Sequence, residues 1–456
     1  MFDLIIIGGG PGGYTAAEEA QRQGLSAAIV EKDRLGGTCL QRGCVPTKAY
    51  LHAAETVEKA RAYSRDVAPD LRAMYDKKCA LVDELTDGVI ALMARCKAAV
   101  YHGTGTLTNA QPPFAVRVLD ADGAETVVEG AQVLIATGSR PARLPVEGCE
   151  LPAVWTSDDI LGEKAAEPFE SLLIIGGGVI GVELASVYAR LGVNVTVLEA
   201  EKNCLPMMDR ELGRSAEAIL KALGVSVLTG CKLQSVTPDD EDFIAVYEKG
   251  GAFESVSASR VLLATGRVPE TAGLLGEGVE LAMSRRAIAV DERYQTSLPG
   301  VYAIGDVNGL CPLAHAASAQ ARAAIAALCG QPSPVNDRLI PSCVYTAPEI
   351  ASVGLTQDEA KALGQDVIVG KAVLAHNART LIEGLGRGFV KLVFDKASGR
   401  IVGGQLCCGR ATDLIAQITQ AIARGDTPED IVRAVQAHPT FSEALGEAVL
   451  AALEKK

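Results

Sequence analysis

A chain of 456 residues with a formal net charge of −13 is long enough for roughly three domains of ~150 residues and lacks the basic face that nucleic acid requires. Apolar residues make up 48% and aromatic ones only 4%, the balance of an Ala/Val/Ile/Leu-rich α/β protein, and no uncharged apolar run reaches the ~18 residues of a membrane span. Twelve cysteines spread over this length are not the dense framework of a small secreted domain, so a cytoplasmic protein is expected, one that binds neither nucleic acid nor membrane.

The chain opens on a buried-strand pattern, Leu4, Ile5, Ile6 and Ile7, which runs into Gly8, Gly10 and Gly13. The run is too short, and lacks the basic start, for a signal peptide. Glycines at this spacing let backbone approach a pyrophosphate at a helix N-terminus. Glu31 ends the next apolar run 18 residues after Gly13, where a carboxylate takes ribose hydroxyls. The run Gly36-Gly37-Thr38-Cys39-Leu40-Gln41-Arg42-Gly43-Cys44-Val45-Pro46-Thr47-Lys48 follows. Cys39 and Cys44 lie on a Gly-bounded turn that leads into a helical pattern, and a helix N-terminus beside Cys44 would favour its thiolate. Next to a nucleotide site the pair reads as a dithiol that exchanges electrons with a cofactor. A structural disulfide or half of a zinc site is the alternative, but no second Cys or His pair stands nearby at metal-ligand spacing, and no metal is expected. A charged helical stretch runs from about Lys48 to Lys97, and residues 133–138 form an apolar run ending in Thr137 and Gly138.

The opening pattern then recurs. Gly176, Gly178 and Gly181 each lie 168 residues after Gly8, Gly10 and Gly13, and Glu199 lies 168 after Glu31. One such glycine motif is a weak signal; two in register, each with its strand and carboxylate, mark a duplicated dinucleotide fold. Residues 261–266, ending in Gly266, repeat residues 133–138. A further buried-strand pattern over 300–306 ends at Asp306, placed to hydrogen-bond a cofactor polyol, and predicts that the second copy is inserted in the first. From about Ser333 the prolines Pro332, Pro334, Pro341 and Pro348 mark a linker and edge strands, before the strand-like residues 388–394 and Ala-rich helical segments. The expected fold is α/β, with two Rossmann-like dinucleotide-binding domains, one inserted in the other, and a C-terminal α+β domain.

Two nucleotide sites and a dithiol, with Ala264-Thr265-Gly266-Arg267, Ile304-Gly305-Asp306, Leu313-Ala314-His315, Val344-Tyr345-Thr346-Ala347-Pro348-Glu349 and His438-Pro439-Thr440-Phe441-Ser442-Glu443, resemble the FAD-dependent pyridine nucleotide-disulfide oxidoreductases, essentially end to end. Within them the pattern is most similar to members that oxidise dihydrolipoyl groups. The resemblance implies an FAD-binding domain with the redox disulfide over 1–143, an NAD-binding domain over 144–267, a central segment completing the FAD site over 268–334, and a dimerisation domain over 335–456. It implies FAD on Gly8, Gly10, Gly13, Glu31, Lys48, Thr137, Gly138, Asp306 and Ala314, and NAD on Gly176, Gly178, Val179, Gly181, Glu183, Glu199 and Gly266. Cys39 is then the thiol that meets substrate and Cys44 the one that meets flavin. His438 is the base, oriented by Glu443 and acting on the disulfide of the other subunit of a homodimer. Lys48 is implied beside the flavin, with Glu183 as its partner.

Glu199 at the ribose favours NAD over NADP, because a carboxylate accepts from a free 2′-hydroxyl and repels a 2′-phosphate. Gly181 and Glu201-Lys202-Asn203 point the same way, and Val179 stands where glutathione reductase carries a tyrosine. Mercuric reductase and large thioredoxin reductases need a C-terminal cysteine pair that residues 451–456 lack, and Cys407-Cys408 is expected as buried packing. Three departures from the family pattern are Thr47 for serine, Glu270 for asparagine, and Gln41-Arg42 between the cysteines, where Arg42 could tune the disulfide or admit an anion. The expected partner is a lipoyl-bearing protein of a 2-oxo acid dehydrogenase or glycine cleavage system; the alternative activity is NAD(P)H-dependent reduction of another low-molecular-weight disulfide.

Overall fold

The computed structural model describes residues 1–64 and 67–455; Lys456, the end of the tail read above, lies outside them. Its first sheet has seven strands. Ala99–His102, Ala27–Glu31, Phe2–Ile7 and Glu125–Ile135 follow one another in parallel, and Phe114–Leu119 and Thr104–Leu107 extend the far side antiparallel. The pleat explains why the opening strand is apolar at every position. Ile5 and Ile7 enter the core on one face of the sheet, and Leu4 and Ile6 enter the core on the other, as befits a parallel sheet covered on both sides.

The second copy builds its own parallel sheet of five strands, ordered Ser226–Thr229, Asn194–Glu199, Ser171–Ile175, Arg260–Leu263 and Val154–Thr156. Leu172 and Ile174 again face one core and Leu173 and Ile175 the other. A three-stranded antiparallel sheet, Cys231–Asp239, Asp242–Lys249 and Ala252–Ala258, flanks it. After this unit the chain returns to the first sheet, where Val301–Ala303 pairs in parallel with Val133, Leu134 and Ile135. One nucleotide-binding unit is therefore inserted in the other, as the repeat predicts. The two units are tied by the antiparallel pairing of Ser139–Pro141 with Arg267–Pro269, the segments that follow the two Thr-Gly motifs.

The C-terminal part is an antiparallel sheet ordered Ser342–Val344, Glu349–Gly354, Ile401–Cys408, Phe389–Asp395 and Val367–Val373, with Ala411–Arg424 and Glu443–Leu453 packed against it. Cys407 and Cys408 are buried at the end of a central strand, in line with a packing role. The stretch expected as helical is two helices, Cys44–Arg61 and Leu71–Arg95. Tyr50, Leu51 and Ala54 on the first of these join Val182, Ala185 and Tyr188 of helix Val179–Leu191 in one core that also takes in Val344 and Phe389. All three parts thus meet behind the cysteine turn.

Candidate active site between two nucleotide-binding turns

The cysteine turn is seated directly on the first glycine motif. Gly36 and Gly37 have φ of 102° and 59°, the left-handed region that glycine tolerates. A Cβ on Gly37 would stand 2.6 Å from the Cα of Gly10, so this approach also demands glycine. The short helix Gly37–Arg42 carries Cys39, Gly43 breaks it, and Cys44 becomes the first residue of helix Cys44–Arg61. The free N–H groups of that first turn favour an anion on Cys44.

The two thiols are unequal. The Cys44 thiol is drawn down to about 7, first by the hydrogen bond it accepts from Cys39 and then by the positive charge of Lys48, against burial and the charge of Glu183. Donating that hydrogen bond, burial and the neighbouring Cys44 charge all push Cys39 up. Lys48 lies one turn beyond Cys44, its Nζ 2.7 Å from Oε2 and 3.0 Å from Oε1 of Glu183. The Glu183 side chain is only 3% exposed, so its charge is compensated by Lys48 and by the Tyr345 N–H, 3.0 Å from Oε1. Tyr14 adjoins the pair; burial and the cysteine charges push its hydroxyl up. Between the cysteines, the Arg42 guanidinium is paired with Asp33, and Gln41 donates to Leu35 O and Thr86 Oγ1.

The glycines decide whether the two turns fit a dinucleotide. A Cβ on Gly8 would lie 2.2 Å from Ala136 O, on Gly13 1.9 Å from Gly8 O, and on Gly181 2.0 Å from Gly176 O. These glycines are needed for the chain to pack on itself. Gly178 is different: a Cβ there would meet nothing within 4 Å, and one on Gly10 only Gly37 Cα at 3.7 Å. The middle glycines therefore keep open the space over the helix N-terminus, the room a pyrophosphate would need there. The carboxylates repeat as well. Glu31 accepts from the Gly9 N–H at 2.6 Å and the Asp33 N–H at 2.8 Å; Glu199 accepts from Gly177 at 2.5 Å and Glu201 at 2.7 Å. Each oxygen keeps a lone pair for a ribose hydroxyl.

Around the first turn, Thr137 Oγ1 donates to Glu270 O at 2.6 Å, and the Glu270 carboxylate lies 3.7 Å from Lys32. Asp306 accepts from Ser139 Oγ at 2.5 Å and lies 4.0 Å from Arg267, which itself donates to Ser139. Ala314 opens helix Ala314–Leu328, while Gly138 and Gly266 have positive φ and open surroundings. Val179 is the first residue of its helix and partly exposed. The His438 side chain is 73% exposed, its Nδ1 2.9 Å from Glu443 Oε1. The other Glu443 oxygen accepts the Thr440 N–H at 2.8 Å. That bond, then the one to His438, holds the Glu443 carboxyl below its usual range. The arrangement fixes the ring with Nε2 turned outward. Tyr345, Tyr14, Ser139 and Arg267 are the side chains here that sequence reasoning assigned no role.

Comparison with known proteins agrees with this geometry. Residues 2–321 match the family model "Pyridine nucleotide-disulphide oxidoreductase" and residues 340–449 match its dimerisation domain. Proteins named dihydrolipoyl dehydrogenase from Bacillus subtilis and Trypanosoma brucei brucei are 38% and 37% identical, across 99% and 100% of this chain and 98% and 97% of theirs. Among solved structures, LpdA from Mycobacterium tuberculosis superposes with a TM-score of 0.89 at 28% identity, over 98% of this chain and 99% of that one. The HOCl-induced flavoprotein disulfide reductase RclA from Escherichia coli gives 0.87 at 27%, over 98% and 99%. No helix among the described residues is long and apolar enough to cross a membrane. The chain belongs to the pyridine nucleotide-disulphide oxidoreductase family.

Proposed function

We propose that the chain is a dihydrolipoyl dehydrogenase: it oxidises dihydrolipoyl groups to lipoyl groups through Cys39 and Cys44, with FAD on the first glycine motif and NAD on the second. The full-length match to proteins of that name carries the reading. On this reading residues 1–143 and 268–334 make the FAD unit, 144–267 the NAD unit and 335–456 the dimerisation domain. A cytoplasmic homodimer and a lipoyl-bearing protein partner complete it.

With Cys39 and Cys44 joined as a disulfide, a substrate thiol loses its proton to Nε2 of His438 of the partner subunit, and Glu443 of the partner subunit stabilises the imidazolium that forms. The thiolate attacks Cys39, the Cys39–Cys44 bond breaks, and Cys44 leaves as the thiolate its surroundings favour. The second substrate thiolate attacks the mixed disulfide and frees Cys39. Two electrons have then passed from substrate to the pair. FAD, when bound, supplies a two-electron acceptor that can hand a hydride on to NAD. Lys48 holds positive charge beside that centre. Glu199 selects NAD, and at least about a tenfold preference in kcat/KM over NADP is expected, ~1.4 kcal/mol.

The likeness to a flavoprotein disulfide reductase favours one second reading, reduction of another small disulfide by NADH or NADPH. Steady-state rates separate the two. Dihydrolipoamide with NAD should far outrun any of a panel of disulfides with NADH or NADPH; a faster glutathione-type or other disulfide would replace the lipoyl reading.

A further inference from the structure

The ammonium of Lys48 has two neighbours that differ in kind. Glu183 grips it with both carboxylate oxygens, at 2.7 and 3.0 Å. Tyr345, just past strand Ser342–Val344 of the C-terminal sheet, presents its ring with the centroid 4.5 Å from Nζ. Its N–H also donates to Glu183 Oε1, so one residue of the C-terminal part touches both members of the ion pair.

These contacts act differently on the thiols. The carboxylate that holds Lys48 also cancels its charge, and Glu183 opposes the effect of Lys48 on Cys44. An aromatic ring attracts an ammonium through its quadrupole and brings no net charge. We propose that Tyr345 is a positioning residue, whose ring holds the Lys48 ammonium beside the dithiol without neutralising it. The inference rests on reading Cys44 as the working thiolate. The groups that face the pair are Cys39, Lys48, Glu183 and Tyr14, with Cys343 near Lys48 from the C-terminal sheet. Of these, Lys48 alone is a cation, and its charge adds to the hydrogen bond from Cys39 in favouring the thiolate.

The test is the pH dependence of the Cys44 thiolate in the reduced protein, read by its ultraviolet absorbance and assigned by its loss in Cys44→Ser. Wild type and Tyr345→Phe should share a midpoint near 7. Tyr345→Leu and the longer Tyr345→Met should raise it, lowering the thiolate fraction at neutral pH by about threefold. In a Lys48→Met background, Tyr345→Leu should add nothing. The proposal is overturned if both ring-free variants keep the wild-type midpoint, if the shift persists without Lys48, or if both fail to fold while Tyr345→Phe folds. A wild-type midpoint at the ordinary ~8.5 of a thiol would overturn the reading of Cys44 together with the proposal; an unshifted midpoint in the variants alone would remove only Tyr345.

Discussion

At the scale of single residues, the chemistry turns on two thiols made unequal by position. Cys44 opens a helix near a cation, whereas the half-buried Cys39 donates a hydrogen bond to it. Cys44 should therefore carry the thiolate of the reduced pair at neutral pH, an ultraviolet absorbance that Cys44→Ser removes. Because its folded pKa lies near 7, this thiolate is lost as pH falls below that value; a signal that survives Cys44→Ser would contradict the assignment. Cys44→Ser should abolish turnover with dihydrolipoamide. His438→Gln should lower kcat/KM by about 10²–10⁴-fold, the usual range for a general base, and Glu443→Gln by less, since it removes only the ring's orienting partner. Stopped-flow reduction rates check both, and a His438→Gln protein with unchanged rates would remove His438 from the chemistry.

At the scale of elements, each glycine has its own structural consequence. Gly181→Ala would force a Cβ against Gly176 O, whereas at Gly178 the same methyl meets open space. Gly181→Ala should therefore yield poorly folded protein. Gly178→Ala should fold with unchanged thermal stability yet show a KM for NAD raised at least about tenfold, by calorimetry and kinetics respectively. Equal behaviour of the two would refute the assignment of the open space to a pyrophosphate. These elements were readable from the sequence because their signals are local: an apolar strand, glycines at fixed spacing, a carboxylate at the next strand's end. The antiparallel sheet over 231–258 was not. Its outer strand Ala252–Ala258 is mostly solvent-exposed and lacks an apolar pattern to announce it. Nor was the contact of Tyr345 with Lys48, which lies 297 residues earlier in the chain. The Glu443 contact to His438 came from family resemblance, since a spacing of five residues specifies no geometry.

At the scale of the whole molecule, the C-terminal part is bolted to the second nucleotide unit by buried charge. Lys391, 5% exposed, lies 2.7 Å from Asp209 and 2.9 Å from Glu211, and Lys371 lies 2.6 Å from the other Glu211 oxygen. Lys391→Met leaves Asp209 without this partner and should destabilise the protein by about 3–5 kcal/mol in urea unfolding; a loss below ~1 kcal/mol would show the cluster to be incidental. Burial raises Glu211, but hydrogen bonds from Lys371 and Lys391 outweigh it and its carboxyl sits below the usual range. Its contribution is therefore present above the unfolded value of ~4.3 and lost as pH falls through the lower folded one, so the gap between wild type and variant should narrow in acid. The bolt and the Lys48 cluster join parts far apart in sequence, and the chemistry proposed depends on that assembly. Anaerobic addition of dihydrolipoamide to the FAD-loaded protein, followed by absorbance, tests it most directly. One equivalent should raise a long-wavelength band from the Cys44 thiolate against the flavin, a band that fades as pH falls below about 7 and disappears on adding NAD. A spectrum left unchanged by the dithiol, or flavin that bleaches with no such band, would contradict this chemistry.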